Sequence, residues 1–159
     1  MEGEHKYINL SYLEGIAEGD KSIIKELIEI FIEQIPEFTD GFEESMLNND
    51  WVKVAAIAHK AKSSVMSMGM EELGIVDLKN MELLAKQLRI SELSDKKDKN
   101  QKQNEELEKL TENLESYPKD RIGWIEENAN SETLQNLINK FNSCCESAVE
   151  ELNIEISTY

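Results

Sequence analysis

The stretch "GDKSIIKELIEIFIEQIPEFTDGFEESMLNND", residues 19–50, decides the fold class. In it Ile24, Leu27, Ile28, Phe31, Ile35, Phe38 and Phe42 recur at three- and four-residue intervals, the period that gathers side chains on one face of a helix. Asp20 or Ser22 stands where a side-chain oxygen can accept from the first free amides. Pro36 lies inside the pattern, but the apolar stripe keeps its phase across it, so one bent helix is predicted instead of two. Ile23, Ile30 and Ile32 fall off the stripe, and the upstream "YINLSYLEGI" supplies apolar groups that would cover them as a short N-terminal helix.

Three further segments repeat the period. After the break at residues 48–50, Asp50 is an N-cap for "WVKVAAIAHKAKSSVMSM", which runs to Gly69, a residue suited to a helix C-terminus. "MEELGIVDLKNMELLAKQLR" follows at once, sets Leu73, Val76, Met81, Leu84 and Leu88 near one face, and should fold back antiparallel. From Ser91 the chain is nearly devoid of apolar residues until Leu107, Leu110 and Leu114, so residues 91–104 read as mobile or as a solvated helical extension, followed by a short helix near 105–116. "KDRIGWIEENAN" reads as a connection anchored by Ile122, Trp124 and Ile125. Asn130 or Ser131 then caps a last helix with Leu134, Leu137, Ile138, Phe141, Cys145, Ala148 and Leu152 on its stripe. The expectation is an all-α protein: one domain over residues 1–159, built as an antiparallel four-helix bundle of 21–48, 51–68, 70–89 and 131–156. A short N-terminal helix precedes the bundle, and a helical or loop insertion at 90–130 interrupts it.

Composition agrees and narrows the partners. Two prolines and seven glycines in 159 residues favour helices over turns. A formal net charge of −16 repels phosphate backbones and anionic lipid, which argues against nucleic acid and membrane surfaces and for a protein partner. The N-terminus lacks a basic start followed by an apolar run, and a cytoplasmic, monomeric protein is expected. Cys144 and Cys145 match neither a disulfide framework nor zinc-ligand spacing and read as reduced thiols.

One of the two histidines sits in the second long helix. At about 100° per residue, Val54, Ile57, Ala58, Ala61, Val65 and Met68 share one arc, and His59 lies about 150° from its centre, beside Val52, Ala55, Ser63 and Met66. An outward face on so acidic a chain should be rich in Glu. Around His59 it is small or apolar, with Lys60 and Lys62 and no acid from Ala55 to Gly69. No His, Cys, Asp or Glu stands at helical spacing from His59, so a metal site is disfavoured, and Ser63 is better read as a small neighbour bonding the ring than as a hydrolytic nucleophile. A neutral imidazole beside an ammonium fits nucleophilic attack on an activated phosphoryl group.

The segment "AHKAKSSVMSMGMEEL" resembles the core motif of histidine-containing phosphotransfer (HPt) domains of bacterial phosphorelays, which runs roughly A-H-x-L-K-G-S-S-x-x-x-G-x-x-x-L. Ala58, His59, Lys62, Ser64, Gly69 and Leu73 occupy matching positions. Ala61 replaces the usual leucine, and Ser63 stands where the family commonly has glycine. The resemblance covers residues 8–89 and 131–157, and the insertion is longer than in minimal members. It implies that His59 takes a phosphoryl group from a receiver-domain aspartate and passes it to another receiver, on response regulators or hybrid sensor kinases. By the same resemblance Lys62 and Lys60 screen the phosphate, Ser63 or Ser64 orients it, and Val52, Ala55, Ala56, Met66 and Gly69 form the docking patch. No cofactor is expected in this chain, Mg²⁺ being supplied by the receiver, and the absence of a nucleotide-binding glycine motif implies a carrier without ATP-dependent kinase activity. The rival expectation is a non-catalytic helical adaptor that docks receivers or other proteins without transfer.

Overall fold

A computed structural model describes residues 5–159 of the protein. The chain forms α1 (Ser11–Ile16), α2 (Lys21–Leu47), α3 (Trp51–Ser67), α4 (Lys79–Asp95), α5 (Gln101–Glu115), α6 (Lys119–Asn128) and α7 (Ser131–Ile156), and no strand occurs among the described residues. The capping chemistry is local and conventional: Asp20 accepts from the Ser22 amide, Asp50 from Lys53 and Asn130 from Thr133. α2 continues through Pro36 without a break.

α2, α3, α4 and α7 make an up-down-up-down bundle. α3 packs between α2 and α4, and α7 closes the ring against both. Phe141 of α7 meets the edges of Phe38 and Phe42 of α2 at ring centroid separations of 6.5 and 5.4 Å. Ile28, Val54, Ala61, Met81, Leu84 and Leu134 are fully enclosed in the same core. Cys145 belongs to it, and burial pushes its thiol up to about 12, so it is an inert apolar filler. No helix is long and apolar enough to cross a membrane among the described residues.

Several details depart from the sequence reading. α1 buries Leu13 but leaves Ile23 and Ile30 exposed; only Ile32 is partly covered. The third bundle helix opens with a π-helical segment, Leu73–Leu78, whose wider turn slips the apolar phase, so Val76 is exposed while Asp77 and Leu78 are buried. Asp77 is paired with Lys140 of α7 at 3.0 Å. α4 then runs past residue 89 to Asp95, so the start of 91–104 is the solvated helical extension expected of it, apart from Leu93, which is buried.

The insertion is a helical hairpin laid on α4. α5 begins at Gln101 with an Asn100–Gln103 capping box, and residues 119–128, expected as a connection, form α6. The Arg89 guanidinium grips both carboxylate oxygens of Glu106, at 2.6 and 2.8 Å. Leu114 and Ile125 reach the core, and Arg121 donates to Asn80. α4 is thus covered by α3 and α7 on one side and by the hairpin on the other, which explains why Met81, Glu82, Leu83, Leu84 and Ala85 are all buried in succession. A helix buried all round loses its one-sided stripe.

Candidate functional site

His59 projects from the middle of α3 with 76% of its side chain exposed. Its Nδ1 nevertheless has a fixed partner, Oε2 of Glu82 on α4, at 3.2 Å. Glu82 is enclosed, its side chain 7% exposed, and two ammonium groups flank it: Lys79 Nζ lies 3.6 Å from Oε1 and Lys86 Nζ 3.6 Å from Oε2. A carboxylate only accepts, so this contact selects the ring form carrying its proton on Nδ1 and turns the Nε2 lone pair outward. A hydrogen bond to a charged group contributes about 1.5–3 kcal/mol. Since about 1.4 kcal/mol is tenfold in population, the contact favours this tautomer.

Two close approaches set this geometry. A Cβ on Gly74 would lie 2.6 Å from Met66 Cγ and 3.3 Å from the Lys62 carbonyl oxygen, so glycine lets the π-helical segment come hard against α3 just beyond His59. Gly69 has φ +79° and packs against Asn9, whose amide donates to the Met68 carbonyl at 2.9 Å. Gly69 therefore ends α3 and pins the N-terminal segment, a local task distinct from the docking role expected of it.

The other expected site residues are scattered around the helix. Lys60 turns to α2, where Glu37 holds it at 2.6 Å. Ser64 is bound to Gln34 of α2 at 3.1 Å. The Ser63 hydroxyl donates to the Lys60 carbonyl at 3.3 Å, so the group on Nδ1 is Glu82 and not Ser63. Lys62, partly buried along its stem, has no carboxylate within ion-pair distance among the described residues. Val52 and Ala56 are exposed, and Ala55 and Met66 half-buried. The other histidine, His5, is tied to α7: its Nε2 lies 2.9 Å from Glu155, while Glu151 accepts from the amides of Lys6, Tyr7 and Ile8.

Glu82 was not among the residues expected at the site. Its only sequence signal is a lone acid inside the apolar run "MELLA", with lysines three residues before and four after. Also missed was an apolar groove of about 260 Å³ where α1, α2 and α3 meet, lined in part by Tyr12, Ile16, Ile30, Ser63 and Ser67. It borders the histidine helix on the side away from Glu82. No group of three or more His, Cys, Asp or Glu is placed to hold a metal among the described residues. Comparison of the chain with protein-family models, curated proteins and solved structures finds no match.

Proposed function

We propose that the protein is a histidine phosphotransfer carrier: His59 accepts a phosphoryl group from the aspartyl phosphate of one receiver domain and yields it to the aspartate of another, in the cytoplasm. The observation that carries this reading is the divided imidazole, one nitrogen held by a buried carboxylate and the other presented to solvent. In the forward step the Nε2 lone pair attacks phosphorus, the N–P bond forms, and the P–O bond to the aspartate breaks with its electron pair left on the carboxylate. The Nδ1 proton stays shared with Glu82, whose negative charge compensates the positive ring. Lys62 supplies a mobile ammonium for the phosphoryl oxygens, and Mg²⁺ belongs to the receiver. Tyr12, Ile16 and Ile30 supply an apolar surface on which a partner can seat.

The test is incubation with candidate receivers charged with labelled phosphate. Wild type takes label that is stable to base and lost in acid, His5→Gln takes it equally, and His59→Gln takes none while still binding receivers. Label on His59→Gln would place the acceptor elsewhere. The exposed apolar strip serves an adaptor equally well, and receivers that bind tightly yet never transfer label would establish that second reading.

A further inference from the structure

The insertion touches the acceptor's support at two points. Lys79 and Lys86 stand at the −3 and +4 positions from Glu82, a spacing that on an open helix gives loose, solvent-weakened pairs. Neither is loose. Asn113, in the last turn of α5, accepts from Lys86 Nζ at 3.1 Å, and the ring of Tyr117, in the turn that follows, lies under Lys79 Nζ at 5.5 Å from its centroid. The hairpin carrying both groups is itself fixed by the two-pronged Arg89–Glu106 pair and by buried Leu114 and Ile125.

We propose that the α5–α6 insertion is part of the acceptor site: Asn113 and Tyr117 are positioning residues that hold Lys86 and Lys79 against Glu82, and so fix the His59 ring with its proton on Nδ1 and Nε2 free. Removing these restraints releases the two lysines to water. Glu82, no longer clamped from both sides, is free to change rotamer, so the His59 contact loses its fixed geometry and the ring samples the opposite tautomer, in which Nε2 carries the proton and has no lone pair to offer. Tyr117 and Glu82 keep Lys79 above the ordinary lysine range even though partial burial works against its charge, in line with an ammonium held by its surroundings. Only the consequence for transfer rests on the phosphocarrier reading, because the state of the ring exists without any phosphoryl donor.

The experiment is a long-range nitrogen–proton correlation spectrum of the full chain labelled on its imidazoles, which reads the His59 tautomer directly. In wild type the Nδ1–H form dominates. The double variant Asn113→Leu/Tyr117→Leu is expected to lower its ratio to the Nε2–H form by about threefold to tenfold, the loss of two weak pairs. Should the double variant lose helicity, the single variants Asn113→Leu and Tyr117→Leu, each cutting one of the two links, must each shift the ratio in the same direction. An unaltered tautomer ratio in whichever of these variants is folded overturns the proposal. With a cognate receiver at saturation, the double variant transfers more slowly while receiver affinity holds. If the tautomer shifts as expected but wild type never takes label, the support stands and the phosphocarrier reading falls.

Discussion

Glu82 is almost wholly enclosed and His59 largely exposed, yet Oε2 of the one and Nδ1 of the other are 3.2 Å apart. A buried charge thereby reaches the surface through a single ring. Glu82→Gln keeps the length of the side chain but removes the charge that opposes the phosphorylated, cationic imidazole, and it lets the amide present either a donor or an acceptor to Nδ1. Labelling of His59 by a charged receiver is expected to slow by about tenfold or more, the scale at which groups behind a reacting residue act. Receiver binding, followed separately by titration calorimetry, is expected to stay the same, because the carboxylate is not on the surface. Equal labelling rates would remove Glu82 from the mechanism.

Lys62 is the lysine of the His59 turn whose charge is not consumed nearby, since Lys60 is committed to Glu37 and both Lys79 and Lys86 to Glu82. Lys62→Glu is expected to slow transfer by about threefold to tenfold at low salt, and by less as salt rises and screens the exposed charge. Lys62 is half-buried and takes part in no ion pair among the described residues, so the change in thermal stability should stay within about 1 kcal/mol. A salt-independent effect, or none, would assign the screening of phosphate to another group.

Much of the bundle was legible because its signal is local. The stripes of α2, α3 and α7 are written in residues three and four apart, and Asp20, Asp50 and Asn130 each cap the helix they precede. The rest depends on partners distant in sequence. α5 and α6 carry few apolar residues, and their attachment to α4 is largely polar, through Arg89–Glu106 and Arg121–Asn80, which no periodicity reveals. The π-helical turn at Leu73–Leu78 reflects the close approach of Gly74 to α3, a tertiary cause that moved Val76 off the expected face. That His59 faces outward was legible from the spacing along one helix. Glu82 was not, since its role comes from α4 folding back over twenty-three residues.

The hairpin's attachment should respond to acid with a definite sign. The Arg89 guanidinium holds the Glu106 carboxyl below its ordinary value of 4.5, against partial burial that pulls the other way. A depressed carboxyl pKa adds stability that is fully present above 4.5 and lost as pH falls through the lower folded value. Both groups are partly exposed, which limits this contribution to about 1 kcal/mol. The protection of the α5 amides against hydrogen exchange, taken relative to intrinsic rates at each pH, is therefore expected to fall below pH 4.5 in wild type more than in Glu106→Gln. In that variant the hairpin is already looser at neutral pH. Identical acid profiles would mean that the Arg89–Glu106 pair does not help to hold the hairpin.

The apolar groove separates carrier from adaptor through the way a single substitution divides between binding and transfer. Ile30 is 46% exposed on α2, beside Tyr12 and Ile16, and it fills no core volume. Ile30→Lys should therefore change stability by no more than about 0.5 kcal/mol. If a receiver seats on this groove while His59 reacts, the added charge must be desolvated in the complex, and receiver affinity is expected to fall by about tenfold or more. The rate at saturating receiver should hold, because Ile30 makes no contact with the His59–Glu82 pair. Full affinity with unchanged transfer would move the docking face to the other flank of α3, around Val52 and Ala55. Lost affinity in a protein that never transfers label would leave the groove as the working surface of an adaptor.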